Sequence, residues 1–199
     1  MKIVALCGSL RKASCNMGIL RHCKESLASK GVKFDIVSSE LLGSLPLMNE
    51  DLENKGNVAP EGVNTFCKQI HDADAFVIAT CEYNAGYSAA LKNGLDWASR
   101  TPPYGNIWNN KPVSIVGAGG YGGTSRAQIA LRDVLYELNM KNMNGSFGSG
   151  AQIRIQIKHP GEEPPFDDNT GDLVSDFWKG ELDNTMDGLI KWTKRIKED

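Results

Sequence analysis

The sequence predicts an α/β domain: a parallel sheet covered by helices on both faces. Three observations carry that reading. Short β-branched or apolar runs alternate with longer amphipathic stretches along the chain. One run, Ala73–Thr80 (ADAFVIAT), is apolar enough for a strand covered on both faces. Each run is followed by residues at helical spacing, and a strand–helix–strand order brings successive strands side by side by right-handed crossovers.

The elements follow in order. Lys2–Cys7 (KIVALC) is the first strand, and Ser14–Ser29 the first helix, with Ile19, Leu20, Cys23 and Leu27 on its inner face. Gly31 closes that helix. Lys33–Ser38 is the second strand. Periodicity then fails from Leu41 to Pro60, where Gly43, Pro46, Gly56 and Pro60 predict loop and turn. Glu61–Asp72 is a helix with Val63, Phe66, Cys67 and Ile70 on one side, and Ala73–Thr80 is the third strand. A helix over Ser88–Ser99 precedes a Pro/Gly-rich loop from Thr101 to Lys111. Pro112–Val116 is the fourth strand, Ser125–Leu138 its helix, Gln152–Ile157 the last strand, and Leu173–Ile196 the final helix, irregular near Gly180 and Gly188. The segment from Asn144 to Asn184 is expected to be a partly ordered loop or a subunit contact, its acidic run solvated.

With 199 residues, one domain spanning 1–199 is expected. The chain is 41% hydrophobic and 23% charged, with a mean hydropathy of -0.33. A net charge of -2 disfavours nucleic acid or an anionic membrane as a general partner. No apolar run approaches the roughly 20 residues of a membrane span, and Gly8 and Arg11 interrupt the N-terminal apolar run too early for a signal peptide. Cys7, Cys15, Cys23, Cys67 and Cys81 are odd in number and form no CxxC pair, so they read as reduced thiols packed as small hydrophobes and not as a metal site. A cytoplasmic location is expected. His22, His71 and His159 show no evident partner and read as surface or packing residues.

Ligands of such sheets bind beyond the carboxyl ends of the strands. Three unusual loops lie there. GSLRKASCN (Gly8–Asn16) follows the first strand; it combines a turn glycine, the hydrogen-bonding Ser9, Ser14 and Asn16, the cation Arg11 and a helix start, a set suited to phosphate. It matches neither GxxxxGK[ST] nor GxGxxG. Its plainer reading is a turn whose Ser14 caps the helix. CEYNAGYSAALKNGLDWASR (Cys81–Arg100) follows the third strand and places Glu82, Tyr83 and Asn84 where a planar ligand would lie; the plainer reading is a capped surface loop with Leu91 and Trp97 as core. GAGGYGG (Gly117–Gly123) follows the fourth and permits close approach to a flat ring, or is a flexible connection. Arg126, unfavourable at a helix start, points to an anionic neighbour, a ligand or a partner subunit, unless it is simply solvated.

At these residues the chain resembles the NADPH-dependent FMN reductase family, which includes quinone and chromate reductases. Three motifs carry the resemblance: GSLRKASCN, EYN with LKNGLDWASR downstream, and GGYGGTSRAQIALR. The match runs from Met1 to about Leu138 and weakens beyond. The resemblance implies a three-layer, doubly wound flavodoxin-like fold with five parallel strands in the order 2-1-3-4-5, and noncovalent FMN. By position, Ser9, Leu10, Arg11, Ser14 and Asn16 would hold the FMN phosphate. Glu82, Tyr83 and Asn84 would border the isoalloxazine, and the loop containing Gly117, Gly119, Gly120 and Gly122 would approach its other edge.

It further implies two-electron, ping-pong transfer from NADPH or NADH through the flavin to a quinone or similar small acceptor (chromate, an azo compound, free flavin), with no catalytic side chain or metal. A homodimer or homotetramer is implied as well. The chain departs from the family pattern at Cys81, where proline is usual, and at AGYSAA, where a Pro-Gly pair is usual. The alternatives are a flavodoxin-type electron carrier, for which the charge is not acidic enough and the hydroxyl-rich phosphate loop is missing, and a flavin-based redox sensor in which Cys81 responds to oxidants.

Overall fold

The computed structural model describes residues 1–53, 59–100, 103–120, 122–143, 153–157, 161 and 163–198. In chain order the elements are β1 (Lys2–Cys7), α1 (Cys15–Ala28), β2 (Lys33–Ile36), α2 (Ser39–Ser44), α3 (Glu61–Ile70), β3 (Ala75–Thr80), α4 (Ala89–Trp97), β4 (Pro112–Gly119), α5 (Ser125–Glu137), β5 (Lys141–Asn142), β6 (Ile153–Gln156) and α6 (Asp176–Glu198). A single 3₁₀ turn covers Glu50–Leu52.

The sheet is parallel in the order β2-β1-β3-β4-β5, with β6 also paired to β4. Its two faces follow from the alternation of side chains along a strand. Val4 and Leu6 of β1, Phe76 and Ile78 of β3, and Val113 and Ile115 of β4 pack on one side with Phe66, Ile70, Leu91, Leu95, Trp97, Trp108 and Leu131. Ile3, Ala5 and Cys7, then Ala75, Val77 and Ala79, then Val116 and Ala118 pack on the other with Ile19, Leu20, Cys23, Leu27, Leu182, Met186 and Leu189. Each fully buried aliphatic side chain contributes about 1.5–3 kcal/mol. The doubly wound, 2-1-3-4-5 expectation is therefore met.

Several boundaries are corrected. The expected fifth strand is two segments lying along the same edge of β4: Lys141 and Asn142 pair with Pro112 and Val113, while Ile153 to Gln156 pair with Val116 to Gly119. Two residues carry no periodicity, so β5 had no sequence signal. Pairing with β3 carries β4 past Val116 to Gly117, and pairing with β6 carries it on to Gly119. Within the stretch read as loop lies α2, started by Ser38, whose hydroxyl accepts from the Leu41 N–H at 3.1 Å, and held by buried Leu42. The final helix starts at Asp176, because Leu173 instead pairs with Phe166, and it runs unbroken through Gly180 and Gly188. In the segment from Asn144 to Asn184, residues 144–152, 158–160 and 162 lie outside the described residues, whereas Phe166 and Leu173 are buried. Among the described residues no helix is long and apolar enough to cross a membrane.

Candidate active site

A cleft of about 180 Å³ opens at the carboxyl ends of β1, β3 and β4, lined by residues of all three loops and by Ile157 beyond β6. Its position follows from the fold, since the helices on opposite faces diverge where β1 and β3 neighbour each other.

The first loop forms the closed side. Gly8 donates to the Ala79 carbonyl at 2.8 Å, which fixes the turn off β1. Ser14 is the N-cap of α1, its hydroxyl accepting from the Met17 N–H at 3.2 Å. Ser9 and Ser14 are buried lining residues, and the Ser9 hydroxyl accepts from the Arg11 N–H at 3.4 Å. Arg11 lines the cleft with an exposed guanidinium that donates to the Ala13 carbonyl at 2.6 Å. Asn16 lines the cleft too, with both ends of its amide turned to β4: Nδ2 donates to the Ala118 carbonyl at 2.9 Å and Oδ1 accepts from the Ala118 N–H at 2.8 Å. This amide joins the start of α1 to β4 across the cleft floor. Leu10 points out to solvent and is not among the lining residues.

The second loop forms a projecting wall. Tyr83 and Gly86 exchange backbone hydrogen bonds of 2.9 Å in each direction, closing a two-residue hairpin over Asn84 and Ala85. Both central residues have positive φ, 49° and 65°. That conformation suits asparagine and strains alanine. Tyr83 is 56% exposed at the cleft mouth, while Asn84 at the hairpin tip is exposed and outside the lining. Cys81 sits beneath, its thiol donating to the Gly8 carbonyl at 3.3 Å. Burial pushes this thiol up, partly offset by hydrogen bonds to Tyr83 and Ser88. A neutral, buried thiol is a poor nucleophile, which argues against the oxidant-sensing reading. Glu82 lines the cleft, yet one of its oxygens accepts from the Ala127 N–H at 3.0 Å, at the start of α5.

In the third loop, Gly119 and Gly120 line the cleft. A Cβ on Gly120 would meet nothing within 4 Å, so the space over it is open, whereas one on Gly119 would overlap the Gly123 carbonyl oxygen. Gly117 lies inside the sheet against Thr80 and Thr124, and Gly122 (φ 82°) makes the turn into α5; neither lines the cleft. Tyr121 is outside the described residues. At the helix start beside Arg126 the Glu82 carboxylate accepts from the Ala127 N–H.

Sequence reasoning overlooked Cys15, Ala118 and Ile157, which also line the cleft. It also overlooked a support behind it. Gly18 of α1 and Gly171 (φ 72°) face each other so closely that a Cβ on either would overlap the other's segment. The loop before α6 thus packs on the start of α1, held by Arg21 Nε donating to Asp172 at 2.6 Å. The paired glycines ten dozen residues and more apart gave no local signal. All five cysteines are buried and none is in a disulfide, with the Cys23 thiol pushed up to about 12 by burial. His22 does have a partner, Asp183 of α6 at 2.9 Å, and His71 stacks on Tyr104, both away from the cleft; His159 lies outside the described residues. Among the described residues no group of histidine, cysteine or carboxylate side chains is placed to hold a metal.

The family model for NADPH-dependent FMN reductase matches residues 1–153. The chain is 35% identical over 202 residues to a probable NADPH:quinone oxidoreductase 1 of Oryza sativa subsp. japonica, covering all of this chain and 94% of the relative. It is 38% identical over 196 residues to a 2-hydroxy-1,4-benzoquinone reductase of a Burkholderia species, covering 98% and 97%. Among solved structures, the flavoenzyme NAD(P)H:(acceptor) oxidoreductase FerB of Paracoccus denitrificans superposes with a TM-score of 0.78 at 26% identity, over 98% of this chain and 97% of that one. Family model, full-length relatives and a three-loop cleft at the strand ends agree: this chain belongs to the NADPH-dependent FMN reductase family.

Proposed function

We propose that the cleft holds FMN and that the protein reduces quinones, or similarly small acceptors, with electrons from NAD(P)H. The observation that carries this reading is the meeting of two features in one cleft: the capped start of α1 with Ser9 and Arg11, and the glycine backbone at Gly119 and Gly120, with open space over Gly120. The first offers amide, hydroxyl and guanidinium donors to a phosphate; the second leaves room for a flat ring to lie against backbone.

In this assignment Ser9, Arg11, Ser14 and the amides at the start of α1 hold the phosphate. Leu10 contributes backbone only, and Asn16 shapes the floor through Ala118. Gly119, Gly120 and Tyr83 border the ring, with Asn84 at the hairpin tip and Gly117 and Gly122 shaping the third loop. Bound FMN supplies the hydride chemistry, so the chain's own task is to position donor and acceptor in turn against one open face. Tyr83, at the mouth, offers a partly exposed aromatic surface for both. Shared access makes the kinetics ping-pong. Five cysteines, none of them in a disulfide, suit a reducing, cytoplasmic setting. Ile129 and Tyr136, 59% and 81% exposed on α5, suit burial between subunits of a homodimer or homotetramer.

The test is spectroscopic. Purified protein should carry flavin absorption that bleaches on adding NADPH under argon and returns when a quinone is added. Flavin bands unchanged by NADPH and NADH would identify a carrier, and a colourless protein that takes up no added FMN would overturn the assignment.

A further inference from the structure

The start of α5 lacks a cap of its own. Thr124 occupies the N-cap position, but its side chain makes no capping hydrogen bond. Its hydroxyl accepts instead from Gln128 Nε2 at 3.0 Å, an amide buried in the core that also donates to the Ile153 carbonyl at 2.8 Å. No acidic residue stands in the first turn of α5; Arg126 is there instead, with the wrong sign for the positive end of a helix. A helix start in this condition needs an acceptor from elsewhere. Glu82 provides it: its Oε2 accepts from the Ala127 N–H at 3.0 Å, from 45 residues earlier in the chain.

We infer that Glu82 is a positioning residue, which caps α5 from a different loop and thereby fastens the hairpin wall (residues 81–87) to the glycine loop (residues 117–124) on the opposite edge of the cleft. At its base the second loop is tied to the first by the Cys81 thiol on the Gly8 carbonyl at 3.3 Å, and Glu82 adds the tie to the third. Its hairpin projects to solvent at Tyr83, Asn84 and Ala85, and its backbone hydrogen bonds join Tyr83 to Gly86. In the third loop Gly123 donates to the Gly120 carbonyl at 3.1 Å and leads through Thr124 directly into α5. One carboxylate joining the two therefore sets the width of the cleft between them. As the site assignment above rests on FMN in this cleft, the consequence for cofactor affinity rests on that reading; the cap itself does not.

Three substitutions separate the roles. Glu82→Gln keeps an oxygen that accepts from Ala127 but removes the charge. Glu82→Asp keeps the charge but is one methylene too short. Glu82→Ala removes both. Hydrogen exchange of the apoprotein should show the Ala127 amide and both loops protected in the parent and in Glu82→Gln, and exchanging faster in Glu82→Ala and Glu82→Asp. Melting temperature should fall by about 3 °C in Glu82→Ala and by about 1 °C in Glu82→Gln. FMN affinity, measured by quenching of free-flavin fluorescence, should fall roughly tenfold in Glu82→Ala and be restored to within about threefold by Glu82→Gln.

Unchanged Ala127 exchange in Glu82→Ala would overturn the cap. Loss of FMN in Glu82→Gln as severe as in Glu82→Ala would overturn the positioning role in favour of a direct charge contact with the flavin. Absence of FMN binding in every variant, with the exchange pattern as expected, would leave the cap standing and remove the flavin reading instead.

Discussion

The two walls of the cleft are built in opposite ways. The end of the loop after β1 that enters α1 is buried and its polar groups are paired: Ser14 is 1% exposed and caps α1, while Asn16 is 4% exposed and holds Ala118 by both ends of its amide. The loop after β3 is exposed and strained, with Tyr83 56% accessible and Ala85 held at a φ of 65°. A rigid wall suits a cofactor that stays, because a preformed cradle loses little freedom on binding. A projecting aromatic hairpin suits partners that come and go. The difference teaches that one sheet can carry a firmly anchored wall and a projecting one at different strand ends, as the proposed division between cofactor retention and substrate turnover requires.

The largest test of this contrast is Asn16→Ala. It leaves a buried N–H and C=O of Ala118 unpaired, at a cost of about 3 kcal/mol, and should lower the urea midpoint and weaken FMN together. Gly119→Ala comes next. Its new methyl overlaps a backbone carbonyl that can move only with the loop, costing about 2 kcal/mol, and flavin retention on gel filtration should fall with it.

On the other wall the effects are smaller and of different sign. Ala85→Gly relieves the left-handed conformation but adds freedom to the unfolded chain, leaving a net gain of about 0.5 kcal/mol in denaturant titration. Tyr83→Ala should change stability by less than about 0.5 kcal/mol, yet raise KM for the acceptor while FMN affinity holds. A large loss of FMN in Tyr83→Ala would collapse the distinction between the walls.

Much of this site was legible in the sequence because each loop is positioned by the strand before it. Apolar runs ending at Cys7, Thr80 and near Val116 pointed to three strand ends, and the cleft lies there. Membership of the reductase family, read from GSLRKASCN, EYN and the glycine loop, holds as well. The roles of individual side chains were less legible. Asn16 and Glu82 both read as ligand contacts, since a polar residue on such a loop has that chemistry available. Their hydrogen-bond partners stand 102 and 45 residues away, and no local pattern records such a pairing. Leu10, Asn84, Gly117 and Gly122 share a loop with lining residues without lining the cleft, because adjacent positions in a turn face different directions.

By itself, the amino-acid sequence determined the alternation of strands and helices, the parallel doubly wound class and the three loops that matter. These depend on hydrophobic period and turn chemistry, which are properties of near neighbours. Only the tertiary structure decided that the fifth strand position is filled by two segments, that Gly18 and Gly171 meet, and which polar side chains remain available to a ligand. Those outcomes depend on which distant groups compete for the same donor or acceptor, and that competition exists only once the chain has folded.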